Sequence, residues 1–96
     1  MVLFSSCMKD SEIEKVLKAL ANKRRLAILK FIKKRKQANV SEIAGEIKLS
    51  FRSTSRHLRV LVSANILDRE QIILQGIYRF DNNMPSLTLK MVSVLV

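Results

Sequence analysis

The sequence predicts a mainly α-helical domain of the α+β class, in which one small β-hairpin follows a group of helices. Apolar residues recur at helical spacing between residues 10 and 62, and each such segment begins near a residue that can cap a helix. Between residues 66 and 80 the pattern changes to strand-forming residues around a glycine. With 96 residues, two glycines and one proline, the chain has room for one domain and little room for a linker.

The first two helices are predicted to supply much of the hydrophobic core. Asp10 or Ser11 can cap a helix that runs to about Leu20, and Asn22 can cap a second helix over residues 23–34. The apolar arc of the second helix is wide, which places that helix at the centre of the core. The residues predicted to face inward are Ile13, Val16, Leu17 and Leu20 in the first helix, and Leu26, Ile28, Leu29, Phe31 and Ile32 in the second.

A short helix, a three-residue turn and a longer helix are predicted to form a helix-turn-helix at residues 41–62. Asn39 or Ser41 can cap the shorter helix, which ends at Ile47. Ser50 can cap the longer helix by accepting a hydrogen bond from a free backbone N–H. At about 100° per residue, the longer helix turns one apolar face inward. That face consists of Phe51, Thr54, Leu58, Leu61 and Val62.

The other sides of the longer helix carry basic and short polar side chains and no acid. Arginines and hydroxyl groups on a helix of groove width can read base edges and hold phosphates. A solvated basic face on an ordinary amphipathic helix is the alternative interpretation. The side chains concerned are Arg52, Ser53, Ser55, Arg56, His57 and Arg59.

The net charge favours the nucleic-acid interpretation. Eighteen lysines and arginines against eight acidic residues give a formal charge of +10. So high a charge on so small a domain favours a polyanionic partner, with nucleic acid ahead of membrane headgroups.

The hairpin is predicted over residues 66–80, with strands at 66–72 and 76–80 and the turn between them. Asn65 ends the preceding helix, because asparagine tolerates the left-handed conformation. A short strand is expected within residues 37–40. A hairpin that follows a helix-turn-helix is the wing of a winged helix.

A last apolar element is predicted over residues 84–96, with Asn83 as its cap. Its pattern fits a helix or a strand, and we interpret it as a helix. An apolar face at the end of a small domain needs a cover, which is either a partner subunit or the core of the same chain. The residues on that face are Leu87, Met91, Val94 and Leu95.

The sequence argues against several other classes of protein. Cys7 is the only cysteine, which excludes an internal disulfide and favours a cytoplasmic protein; it is either a redox sensor or inert. Residues 1–8 are too short for a signal peptide and residues 87–96 too short to span a bilayer, so no membrane partner is expected. No paired carboxylates, nucleophile set or phosphate-binding glycine loop supports an enzyme, and no cofactor is expected.

Four segments in order resemble the ArsR-type winged-helix transcriptional regulators. They are residues 18–32, 40–49, 50–61 and 76–80, and the most specific piece is T-S-R-H-L-R-V-L at 54–61. The resemblance implies a homodimer formed by the first and last helices on double-stranded DNA. Two recognition helices would enter successive major grooves, with half-sites about 34 Å apart. The recognition-helix positions by this resemblance are Arg52, Ser53, Ser55, Arg56 and His57.

The sequence also departs from the family pattern. Metal-sensing members carry two cysteines at positions that align with Asn39 and Ser41, and others use histidines and carboxylates on the last helix, where residues 81–96 offer only Asp81. The resemblance therefore implies no metal site. The wing tip reads Q-I-I-L-Q instead of basic, which favours a protein contact or a different packing of residues 72–74 over contact with the minor groove.

The chain is thus predicted to be one winged-helix DNA-binding domain, residues 1–96. Its parts are an N-terminal arm (1–9), the helix-turn-helix (41–62), the wing (66–80) and a dimerisation element (84–96). Residues 50–59 would read the major groove in a dimeric, sequence-specific regulator, a repressor by family resemblance. The alternative is a protein-interaction module of a larger transcription or nucleic-acid complex that binds DNA only non-specifically.

Within the predicted site, three residues chiefly hold phosphates and two offer helix N-termini to them. Nothing in the sequence indicates an inducer. The phosphate-holding residues are Lys48, His57 and Arg59, and the two at helix N-termini are Ser41 and Ser50.

Overall fold

The computed structural model describes residues 8–96 and arranges them as five helices and three short strands. The α+β class with a helix-turn-helix and a hairpin is therefore confirmed. Cys7 and most of the predicted arm of residues 1–9 lie outside the described residues. The elements are α1 (Asp10–Leu20), α2 (Lys23–Arg35), β1 (Ala38–Asn39), α3 (Val40–Ile47), α4 (Phe51–Ser63), β2 (Leu67–Ile72), β3 (Gln75–Phe80) and α5 (Ser86–Leu95).

The first two helices begin at differently built caps. Asn22 caps α2 as predicted, since its Oδ1 accepts from the backbone N–H groups of Arg24 and Arg25 at 2.9 and 3.1 Å. The prediction that Asp10 or Ser11 caps α1 is wrong, because both lie inside the helix. The N-cap is Lys9, whose backbone N–H donates to the Glu12 carboxylate at 2.8 Å. A glutamate at the third helical position satisfies the cap in this way without a capping side chain at the N-cap itself.

The helix-turn-helix has the predicted form and is one residue longer at each end, at residues 40–63. Asn39 caps α3 in a complete capping box with Glu42, in which each side chain accepts from the other residue's backbone N–H at 2.8 and 2.9 Å. Ser41 is therefore not the cap. Lys48 adopts the left-handed conformation that turns the chain, and the Ser50 hydroxyl accepts from the Ser53 N–H at 3.1 Å to start α4.

The core lies where α2, α3 and α4 meet the start of the sheet. Its fully buried side chains come mainly from these three helices, and burial of one such side chain stabilises the fold by roughly 1.5–3 kcal/mol. The predicted inward residues of α2 are buried or half-buried. The largest fully buried apolar residues are Ile28, Leu29, Ile32, Ile43, Leu58, Leu61, Ile66 and Leu67.

Two apolar residues that were predicted to face inward face solvent instead. On α4, Thr54, Leu58 and Leu61 are buried as predicted, but Phe51 is 60% exposed. Phe51 is the first residue of the helix, next to the turn, and lies beyond the end of the packed face. On α1, Leu17 is 51% exposed, although Val16 and Leu20 of the same stripe are buried.

The sheet has the strand order β1–β3–β2, and both pairings are antiparallel. β1 is the short strand expected within residues 37–40. The hairpin register runs from Leu67 opposite Phe80 to Ile72 opposite Gln75, which leaves a two-residue turn. The second strand begins at Gln75, one residue before the predicted start, because Gln75 still pairs with Ile72.

The last apolar element is a helix, as we interpreted it. Its predicted cap is wrong: Pro85 occupies the N-cap position, and the Asn83 N–H donates to the Asp81 carboxylate at 2.8 Å in the preceding turn. The helix buries Thr88 and Val92 against the chain. The face predicted to need a cover is largely uncovered, with Leu87, Val94 and Leu95 exposed and Met91 half-buried.

A substitution at Thr54 tests how α4 is packed. Its hydroxyl is buried and has no hydrogen-bond partner among residues 8–96. Thr54→Val keeps the shape and removes the unsatisfied group, so we expect the free energy of unfolding to rise by about 1 kcal/mol. Thr54→Ala, the matched control, should lower it because it leaves a cavity. Thermal and urea unfolding measure both; a less stable valine variant would show that the hydroxyl is satisfied.

Candidate nucleic-acid interface

The exposed side of α4 presents three arginines, Arg52, Arg56 and Arg59. The helix is fixed by its opposite side, where Thr54, Leu58 and Leu61 are fully buried. No hydrogen bond or ion pair within residues 8–96 engages these arginines. Free guanidinium groups on a rigidly held helix are available for the bidentate contacts that arginine makes with guanine and with phosphate.

The smaller polar residues of the predicted site surround these arginines along the helix-turn-helix. Ser53 and Ser55 are half-buried on α4, between the packed face and the arginines. Ser41, Lys48 and Ser50 are exposed at the start of α3 and in the turn. Six of the nine predicted residues are therefore exposed on one helix-turn-helix, and Ser53 and Ser55 are half-buried beside them. The ninth, His57, is also half-buried and bonds to Arg25.

Arg25 of α2 connects α1 to α4 through hydrogen bonds. Its Nε donates to the Ala19 carbonyl at 2.7 Å and its Nη2 to the Lys18 carbonyl at 3.1 Å, both at the end of α1. Its Nη1 donates to Nδ1 of His57 on α4 at 3.1 Å. Arg25 was not among the predicted site residues, because a basic run at the start of a helix most often forms a solvated face. No sequence pattern links two residues 32 positions apart.

The bond from Arg25 fixes the protonation state of His57. An arginine can only donate, so Nδ1 must accept and is unprotonated. Burial lowers the pKa of His57, and the nearby charges of Arg25, Arg24 and Arg56 lower it further. His57 is therefore neutral around pH 7, with its proton on Nε2. The sequence predicted only that His57 holds phosphate. The structure indicates that its imidazole is neutral and that its Nε2–H is the group available to donate.

Two ion pairs neutralise acids close to the helix-turn-helix. Arg35 at the end of α2 pairs with Glu42 in the first turn of α3 at 3.2 Å. Arg79 pairs with Glu70 across the hairpin, and this hydrogen bond and charge raise the pKa of Arg79. Both pairs are partly exposed and contribute little to stability. Their effect is on the surface potential, since they offset carboxylates that would repel a polyanion.

The two turn residues of the wing tip are almost completely exposed. Ile73 and Leu74 are 90% and 92% exposed, and Ile72 is 40% exposed. These residues therefore do not pack on their own domain, because the two-residue turn carries them beyond the last paired residues of the ribbon. The protein contact expected at the tip stays a prediction.

Other binding chemistries find no support in the described part of the chain. Residues 8–96 contain no cluster of three or more histidine, cysteine, aspartate or glutamate side chains that could hold a metal ion. Among the helices of the same residues, none combines the length and the apolar character that crossing a bilayer demands.

A short helix, a turn, an exposed basic helix and a β-hairpin define a winged helix-turn-helix DNA-binding domain. The family model described as "Bacterial regulatory protein, arsR family" matches residues 22–69. This match covers half of the chain, so the chain belongs to the ArsR family and is a DNA-binding transcriptional regulator. Its sequence contains one cysteine, Cys7, and so lacks the pair of cysteines that the metal-sensing members carry.

Solved structures of regulators have the same fold. The transcriptional repressor PagR of Bacillus anthracis is 27% identical, with 90% of this chain and 94% of that chain covered and a TM-score of 0.73. HlyU from Vibrio cholerae is 24% identical, with 92% and 94% covered and a TM-score of 0.76. A homodimeric winged helix-turn-helix domain from Mycobacterium bovis is 22% identical, with 94% and 85% covered and a TM-score of 0.76. No curated protein sequence matches the chain significantly.

The neutral state of His57 predicts a specific pH dependence of stability. A histidine whose pKa is lower in the folded than in the unfolded protein contributes stability that is complete above its ordinary value of 6.5 and is lost as the pH falls below it. His57→Asn keeps an acceptor for Arg25 but does not titrate. We expect the wild type to lose stability relative to this variant between pH 7 and pH 5, as measured by urea unfolding. Parallel pH profiles would contradict a pKa of His57 that is lower in the folded protein.

Proposed function

We propose that the chain is a homodimeric, sequence-specific repressor that reads the major groove with α4. The observation that carries this proposal is the set of three arginines that have no partner among residues 8–96, on a helix anchored by its buried opposite face. It is supported by PagR, a transcriptional repressor with the same fold, and by the homodimeric domain from Mycobacterium bovis. The role is binding and not catalysis, and its DNA partner would place the protein in the bacterial cytoplasm.

The exposed residues divide by reach and chemistry. Arg52, Ser53, Ser55 and Arg56 would contact base edges, while Lys48 and Arg59 would hold phosphates. His57 would donate its Nε2–H to a phosphate oxygen as a neutral group. Ser41 and Ser50 would bring the N-termini of α3 and α4 to the DNA backbone, where the helix dipole favours negative charge. The exposed Phe51 would lie against a thymine methyl group.

A second copy of the chain is the proposed cover for the apolar face of α1 and α5. Leu17, Val94 and Leu95 are exposed there and line one groove together with the half-buried Met91. The groove extends to Leu26 of α2, so three helices contribute to a single apolar surface. A twofold axis through this surface would make the patch self-complementary, as in most soluble dimers. The two copies of α4 would then read half-sites about 34 Å apart.

These assignments give each segment of the chain a role. Residues 41–62 would bind DNA, residues 66–80 would form the wing beside it, residues 84–96 would dimerise, and residues 1–9 would form an arm. Repression would follow from occupation of a promoter, as the family resemblance implies.

The proposal is tested by selecting duplexes from a random pool with the full chain and measuring the affinity by fluorescence anisotropy. A scrambled duplex of equal length and composition is the control, at two salt concentrations. We expect a preference of roughly a thousandfold or more and saturation at two chains per duplex. Equal, salt-sensitive binding to every duplex would contradict sequence-specific reading and would point to an interaction module.

Arg52 and Arg59 form a matched pair for assigning base and phosphate contacts. Arg52→Ala should relax the preference at one base position by about 1–3 kcal/mol. Arg59→Ala should weaken binding to all sequences alike and reduce the slope of log K against log salt by about 0.9. Anisotropy titrations on single-base variants of the selected duplex separate the two effects. If Arg52→Ala weakened binding to all sequences and Arg59→Ala relaxed the preference at one base position, α4 would be rotated about its axis relative to the proposed orientation.

Val94 tests the dimer. Val94→Asp places a charge at the centre of the exposed apolar face, so we expect the dimer to dissociate and half-site binding to replace full-site binding. Sedimentation velocity measures the first effect and anisotropy the second. Ser93→Asp adds the same charge to an exposed neighbouring position of α5 and should leave the dimer intact. A Val94→Asp variant that remains dimeric would place the interface elsewhere.

A further inference from the structure

The wing tip combines two features that the fold of the chain does not explain. Ile73 and Leu74 are almost completely exposed, and no residue of the described chain packs on them. Ile73 also has a φ of 56°, in the left-handed region. In a two-residue hairpin turn with positive φ at its first position, glycine is the favoured residue, and a β-branched side chain there is strained. A strained backbone that exposes apolar side chains indicates a function outside the monomer.

The ribbon that carries the tip is fixed against the helix-turn-helix. β3 pairs with β2 on one side and with β1 on the other. Asn39, whose Oδ1 caps α3, donates from Nδ2 to Gln75 Oε1 at 2.9 Å. Gln75 directly follows Leu74. The tip is therefore held one residue away from a side-chain bond to the N-terminus of α3, where the exposed Ser41 lies.

The charges around the tip suit a polyanion. Glu70 is neutralised by Arg79, and the Arg69 guanidinium donates to Gln71 and lies 5.9 Å from the centre of the Tyr78 ring. Uncharged amides, Gln71 and Gln75, flank the apolar tip. The protein as a whole carries a formal charge of +10. An apolar tip with amide neighbours on a basic domain is the composition of proteins that insert isoleucine or leucine between base pairs from the minor groove.

We propose that the side chains of Ile73 and Leu74 insert as a wedge between base pairs in the minor groove beside each half-site and bend the DNA. This inference rests on the proposed function, since the helix-turn-helix must first place the wing on the duplex. Insertion unstacks one base step and kinks the duplex towards the major groove by roughly 20–90°. Flexible pyrimidine–purine steps deform most easily, so the wedge would add a sequence preference at positions that α4 does not touch.

The test uses the full chain and a selected duplex with a donor and an acceptor dye at its two ends. A second duplex carries 2-aminopurine in the flanking step, where unstacking raises its fluorescence. Ile73→Gly combined with Leu74→Asn removes the wedge and supplies residues that favour this turn, so the fold should be retained or stabilised. Leu74→Met is the matched control, because methionine also serves as a wedge.

We expect the wild type and Leu74→Met to bend the duplex and raise the 2-aminopurine signal, and the double variant to lose both effects. The salt slope should be the same for all three proteins, because an apolar tip displaces no counterions. Specific binding by the wild type without a bend, or an equal bend with the double variant, would overturn the wedge and leave the proposed function standing. Absence of specific binding to any duplex would overturn both.

One further experiment distinguishes DNA from a membrane surface as the partner of the wing tip. Vesicles of phosphatidylglycerol are sedimented with the wild type and with the double variant. Loss of sedimentation in the double variant, with an unchanged DNA bend, would assign the tip to a membrane surface and overturn the wedge.

Discussion

The orientation of the recognition helix depends on the burial of one face of α4. Leu58 and Leu61 belong to the same buried cluster as Leu29 and Ile32 of α2 and Ile43 of α3. Since side chains on one face of a helix fix the direction of all the others, this packing decides which residues can reach a groove. The base recognition proposed for α4 would thus depend on core packing.

A second constraint joins the surface proposed for dimerisation to the surface proposed for DNA. Arg25 holds the carbonyls at the end of α1 and the imidazole of His57 through three hydrogen bonds. A shift of α1 within a dimer would move α4 through these hydrogen bonds. This coupling would require neither a metal nor a second domain. Such a link is short and partly buried, and it acts on the helix proposed to face the bases.

Local patterns predicted most of the fold. They misplaced the caps of α1 and α5 by one or two residues, and they could not show contacts between distant residues. The turn at Lys48, the caps Asn22 and Ser50 and the period of α4 are properties of adjacent residues, and the sequence shows them directly. The exposure of Phe51 depends on where the packed face ends. The partner of His57 lies in another helix, which no local pattern can identify.

Asn39 also explains why this chain could not easily become a metal sensor. The family's metal-sensing members carry a cysteine at the aligned position, and here that position has two structural duties. Its side-chain Oδ1 caps α3, and its Nδ2 donates to Gln75 Oε1 beside the wing tip. A thiol is a weak acceptor and a weak donor and cannot perform both duties. A cysteine at this position would therefore lose the contact with the wing and weaken the cap of α3. The position can serve as a metal ligand or in these two contacts, but not in both.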